Sequence, residues 1–278
     1  NDLIDFIQDN DMSDAANYEA VTQQLDVDSM IEHFVLCLYT GMWDWPNHNY
    51  IAWRSNGANI EGNPYSDGRW RFGTYDFDFT CGLDYSGSVS SYSYNMFGKM
   101  GTTSSYTTAA FIRLLNNPAF KDKFARRFCD YANVVYEPDK MAAQITGLAD
   151  TYLEYFTDSE LRWNSAEKPT ESLRDAERAY LSAKTDEIIQ FFQKRPDYAI
   201  AHMMSYCGMN NELYSVTLST NGNGSILIDG IPAGELSDGL VCRYPAGTAI
   251  TVSAAPADGE SFTGWSGRFG CKENEVTF

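Results

Sequence analysis

Apolar residues recur every three to four positions through the first two hundred residues of the chain, and every second position thereafter. The first period belongs to helices packed on one face, the second to strands with one buried side. Asp26 stands where a helix cap is needed, and Met30, Phe34, Val35 and Leu38 behind it fall on one face. Further helices are predicted over about 107–117, 118–135, 138–156 and 170–193, with Pro118 and Pro138 in first-turn positions and Pro196 as a stop. Beyond residue 210, YSVTLSTNGNGSILIDG alternates on either side of Asn-Gly-Asn-Gly, a hairpin signal, and TAITVSAAPADGESFTGWSG continues in the same manner. The expected class is α+β: a mainly helical section over 1–210, then a small β-rich section over 211–278.

One patch breaks the helical period. HNYIAWR (48–54) and RWRFGTY (69–75) alternate as strands, and the segment between them, SNGANIEGNPYSDG, is rich in turn formers. This is a hairpin with a long tip. Its arms are of similar length, so the chain returns to its starting point and carries Asp76 and Asp78 beside Asp44 and Asn49, which open it in DWPNHNY (44–50). Carboxylates with an amide form an oxygen donor set that suits a hard cation such as Mg²⁺. An Asp, an Asn five residues later, two short strands and an Asp-Phe pair follow the order of a protein kinase's catalytic loop, hairpin and metal-binding segment.

Composition narrows the setting. A chain of 278 residues that is 44% hydrophobic and 14% aromatic can bury a large core. With 38 acidic against 20 basic residues its formal charge is -18, which repels nucleic acid and anionic membranes. No run approaches the roughly 20 apolar residues of a membrane helix, so a protein is the expected partner. The chain opens at Asn1 with no leader and reads as a processed or excised piece. Six cysteines lack any C-x-x-C pair; Cys37 and Cys129 read as core thiols, and Cys242 and Cys271 can form a disulfide in an exported chain.

Other readings of the same residues stay open. Asp44 and Asn49 can serve as Asx turn formers, and His48 as a hydrogen-bonded structural residue. Cys81 invites a thiol nucleophile. Trp43, Trp45, Trp53 and Trp70 around paired carboxylates permit sugar hydrolysis or sugar binding. The Ser-, Tyr- and Gly-rich stretch 83–108 suits a substrate-docking loop or a plain surface loop.

VDSMIEHFVLCLYTGMWDWPNHNYIAWR and GRWRFGTYDFDFTCG together resemble the spore coat protein H (CotH) family of atypical kinases, which pairs a D-x-x-x-x-N loop with a D-x-D-x-x-x-G motif. AFIRLLNNPAFKDKFARRF and the LRW at 161–163 fit that family's helical tail, so the resemblance spans roughly residues 1–208. It implies a kinase-like C-lobe that moves a phosphoryl group from ATP, with Mg²⁺, to Ser or Thr of a secreted, surface or spore-coat protein. Asp44 would be the base, Asn49 and Asp76 metal ligands, and Asp78 a second acidic ligand or support. Thr74-Tyr75 replaces the family's usual Pro-Trp. No Lys or Arg precedes Asp44, and the first Lys is Lys99. The lobe that grips the nucleotide is therefore expected to lie outside this sequence, leaving the ATP site incomplete. The alternative is a non-catalytic cell-surface module on a degenerate kinase-like scaffold. The C-terminal section, through GSILIDG, YPAGTAITVSAAP and FTGWSG, resembles the internalin B-type repeat of exported bacterial proteins, which implies an extracellular or cell-surface location.

Overall fold

A computed structural model describes residues 2–83, 92–102, 105–163 and 170–278. Its centre is helix α3 (Val27–Thr40), preceded by α1 (Asp2–Asp9) and α2 (Ala15–Thr22). Asp26 caps α3 by accepting the Ser29 N–H at 3.2 Å, and Gly41, with φ 72°, ends it in the left-handed conformation that a residue without Cβ adopts most easily. Met30, Ile31, Phe34, Val35 and Leu38 are fully buried, as the helical period requires. The hairpin follows as β1 (Tyr50–Trp53) and β2 (Arg71–Thr74), antiparallel, with Tyr50 opposite Thr74 and Trp53 opposite Arg71.

The remaining helices wrap this core: α4 (Phe97–Met100), α5 (Tyr106–Leu114), α6 (Pro118–Asp130), α7 (Pro138–Trp163) and α8 (Glu171–Tyr206). Asn117 caps α6 through the Ala119 and Phe120 N–H groups, with Pro118 in the first turn, where its missing N–H costs nothing. One π-helical turn over Tyr131–Val135 extends α6. Two helix ends differ from the sequence expectation: α7 runs on to Trp163, and α8 passes through Pro196 instead of stopping there. Around Pro196 the side chains of Phe191, Phe192, Ala199, Ile200 and Met203 are all buried, so packing outweighs the lost backbone bond. No helix among the described residues is long and apolar enough to cross a membrane.

The strands after α8 form two sheets. β3 (Leu213–Leu218) pairs with β6 (Leu240–Pro245), and a four-stranded sheet runs in the order β5 (Ile231–Gly234), β4 (Gly224–Ile228), β7 (Thr251–Pro256), β8 (Glu275–Thr277). The expected hairpin across Asn-Gly-Asn-Gly is therefore corrected, because β3 and β4 belong to different sheets. Gly224 serves close approach instead of a tight turn: a Cβ there would sit 2.8 Å from the Ala255 carbonyl oxygen. The tight turn lies at Asp229-Gly230, both at positive φ (47° and 81°), which joins β4 to β5. The Cys242–Cys271 disulfide is corrected as well; both are free thiols. Cys242 lies fully buried on β6, whereas Cys271 sits half-buried in the loop that bridges back to Trp265. Cys37 and Cys129 are buried thiols, as expected.

Candidate active site

Asp44, Asn49 and Asp76 meet at the base of the hairpin. The Asn49 side-chain NH₂ donates to Asp44 Oδ2 at 3.2 Å and to the Asp76 backbone oxygen at 3.3 Å, a contact between residues 27 apart in sequence. The arrangement follows from the strand register: the Tyr75 N–H donates to the Asn49 carbonyl at 3.4 Å, one step beyond the Tyr50–Thr74 pair. Two further bonds pin the returning segment to the end of α3. Trp43 N–H donates to Phe79 O at 2.8 Å, and Cys81 N–H donates to Thr40 O at 2.7 Å.

Backbone strain concentrates here. Asn49, Asp76 and Cys81 hold φ of 64°, 56° and 53°, in the left-handed region that residues other than glycine seldom occupy. Asn and Asp tolerate it best, and such strain gathers where the surrounding structure fixes a functional geometry.

The electrostatics are those of an acidic site short of positive charge. Asp76 is exposed, and its pKa is raised by the charge of Asp78, then by burial, by a hydrogen bond with Asp78 and by Asp44. Asp44 Oδ1 is buried with no hydrogen-bond partner, an atom whose desolvation a bound cation or proton would offset. With its NH₂ group spent on two oxygens, Asn49 keeps its carbonyl Oδ1 as a ligand atom. Two carboxylates and an amide oxygen fit Mg²⁺, which keeps several of its waters. Asp78 accepts the Phe79 N–H at 3.0 Å and acts on Asp76 by its charge. Among the described residues no three His, Cys, Asp or Glu side chains form a group that could hold a metal ion.

Lys99, on α4, bonds to the Trp43 carbonyl and lies over the Trp43 ring at 4.8 Å. Its pKa is lowered by burial, against the attraction of Asp44. Sequence reasoning named Lys99 only as the first lysine; its place beside Asp44 has no sequence signal. The same holds for His33 and Thr74, which brace the site from behind. His33 Nδ1 and Thr74 Oγ1 are 2.7 Å apart, and Trp45 Nε1 donates to His33 Nε2 at 3.2 Å.

The structure bears on two other readings. Burial pushes the Cys81 thiol up to about 11, so no thiolate is available at neutral pH. Of the four tryptophans, Trp45 is fully buried in the core against Phe34, whereas Trp43 and Trp70 are half-buried and Trp53 is exposed. His48 is exposed at the site's rim. Residues 84–91 and 103–104 of the proposed docking stretch lie outside the described residues.

A family model described as CotH kinase protein matches residues 1–199. No curated protein and no solved structure matches the chain.

Proposed function

The chain belongs to the CotH kinase protein family, and from that premise we propose that its acidic site serves Mg²⁺-dependent transfer of the γ-phosphoryl group of ATP to a Ser or Thr hydroxyl. The observation that carries this reading is the Asn49 amide joining Asp44 to the Asp76 backbone. Asp44 accepts the proton of the acceptor hydroxyl as its oxygen bonds to phosphorus and the bond to the ADP oxygen breaks. Asn49 holds that carboxylate in place through Oδ2. Asn49 Oδ1 and Asp76 would hold Mg²⁺, and Asp78 keeps the local charge negative enough to retain it. Held there, Mg²⁺ would supply positive charge to offset the charge that develops on the transferring phosphate. The acceptor fits a secreted, surface or spore-coat protein, in keeping with the family and with the repeat-like β section.

One observation favours a second reading. Phosphoryl transfer needs a cation on the phosphates, and among the described residues no three His, Cys, Asp or Glu side chains form a group that could hold a metal ion. In that reading the domain is a binding scaffold without catalysis. Transfer of labelled γ-phosphate by the full-length protein decides between them. We expect Asp76→Ala to abolish it and Asp44→Ala to lower kcat with little change in KM. Full activity in Asp76→Ala would sink the site assignment, and no transfer by the full-length protein under any divalent cation would leave the scaffold.

A further inference from the structure

We propose that His33 is the positioning residue of the acidic site, one buried imidazole that sets the separation of the three segments that carry the base Asp44 and the metal ligands Asn49 and Asp76. This rests on reading Asn49 and Asp76 as Mg²⁺ ligands beside the base Asp44. Each of the three has a chain neighbour in contact with the His33 ring. Trp45, next to Asp44, donates its indole N–H to Nε2 at 3.2 Å. Tyr50, next to Asn49, packs its ring 5.9 Å from the imidazole. Thr74, two residues before Asp76, pairs its hydroxyl with Nδ1 at 2.7 Å.

The contact is built into the periodicities of the two elements. Ser29 and His33 are one helical turn apart on α3, about 6 Å of rise. Phe72 and Thr74 are two residues apart on β2, about 6.6 Å. Ser29 Oγ accepts the Phe72 N–H at 2.8 Å, and His33 meets Thr74 one step along, so helix and strand run in register. The Phe72 ring stacks on the imidazole at 5.5 Å and 20°, closing the cage.

Only a neutral ring fits. Trp45 is a donor without acceptor capacity, so Nε2 must accept and Nδ1–H must donate to Thr74. The ring is 3% exposed, and burial holds its pKa down at about 4, which keeps this tautomer through the neutral range. Removing the imidazole frees the Asp44 loop and the Asp76 segment to move apart. Partners that orient first ligands typically contribute 10–100-fold to metal affinity.

Mn²⁺ replaces Mg²⁺ as a spectroscopic probe, and its binding to the folded chain is titrated by electron paramagnetic resonance beside a thermal melt. His33→Phe keeps the ring contacts and removes both polar bonds; about tenfold weaker Mn²⁺ binding is expected. Thr74→Val, nearly isosteric, is expected to show a smaller loss, and the double variant no more than His33→Phe alone. A residue that only supports the core would lower the melting temperature and leave the Mn²⁺ affinity of the folded protein unchanged, and that result overturns the inference. If His33→Phe does not fold, unchanged affinity in Thr74→Val overturns it equally, and weakened affinity supports it. Asp76→Ala separates the two levels. Loss of Mn²⁺ binding there, with His33→Phe unaffected, leaves the metal site standing and removes only the positioning role. No saturable binding by the unsubstituted chain removes both.

Discussion

Asp130, at the end of α6, carries a carboxyl that is 1% exposed and accepts the Tyr244 hydroxyl at 3.0 Å, while its second oxygen has no hydrogen-bond partner. Burial, and then the charge of Asp229, raises its pKa to about 8. The unfolded chain releases that proton near 4, so between roughly pH 4 and pH 8 the native state holds more protons than the unfolded state. Stability from this group is full at low pH and is lost as pH rises through 8, by up to about 1.4 kcal/mol per pH unit. Asp130→Asn keeps an acceptor for Tyr244 and removes the titration. Denaturant midpoints are expected to favour the variant over its parent by a margin that grows from pH 5 to pH 8; a constant margin would show that Asp130 ionises freely in the fold. Neither Asp130 nor His33 was legible in the sequence as anything but a polar residue in a helix. Asp44, Asn49 and Asp76 were legible because their pattern is local: spacing on a loop and equal hairpin arms. What His33 and Lys99 touch depends on packing between elements distant in sequence, which no spacing encodes.

Helix α8 shows the same limit one level up. Its sequence carries a stop at Pro196, yet the residue before it explains why the helix continues. Arg195 is 2% exposed and spends its guanidinium on four backbone carbonyls: Nε to Tyr39 at 2.7 Å, one terminal nitrogen to Leu38 at 2.8 Å, the other to Tyr92 and Tyr94 at 2.8 and 2.7 Å. Leu38 and Tyr39 are in the last turn of α3, where unpaired carbonyls and the helix dipole both attract a cation. Burial lowers the Arg195 pKa to about 10, which still leaves the group charged at neutral pH. One side chain thus closes the helix that leads into the Asp44 loop and fixes the chain that leads into α4. Lysine has no planar fork for four divergent acceptors. Arg195→Lys is expected to destabilise the fold by about 3 kcal/mol, from buried carbonyls left unpaired, and Arg195→Met by at least as much, in urea unfolding. A loss under about 1 kcal/mol in both would mean that water replaces the fork. The helical starts were readable from Asp26, Asn117 and Pro118 because caps are local, whereas the passage through Pro196 is set by tertiary burial.

At the scale of the whole molecule, the β section is docked on the helices and not strung behind them. The joint uses the π-helical turn after α6, which turns Asn133 toward the free edge of β6. There its side-chain amide donates to Arg243 O at 2.9 Å and accepts the Arg243 N–H at 3.1 Å, a two-point pairing that stands in for a neighbouring strand. Cys242 and Tyr244 flank Arg243 and are fully buried, Tyr244 reaching Asp130. Arg243 also meets Asp197 of α8 at 2.6 Å, and Arg126 donates to Ala249 O at 3.4 Å. The sequence reading did not single out β6 as a strand, and the helical partner that buries its inner face was not legible either. A joint with paired backbone groups, a buried tyrosine and a buried carboxyl couples the unfolding of the two parts. A single calorimetric transition is therefore expected for the chain, with calorimetric and van't Hoff enthalpies equal. Asn133→Ala leaves the Arg243 backbone groups without partners at a buried edge, and combined with Tyr244→Phe it should split that transition in two, the β section melting first. Two transitions in the unsubstituted chain would show that the parts fold independently and that the joint contributes little, whereas one transition surviving both substitutions would place the coupling in the apolar contacts around Cys242 instead of in the polar pairs.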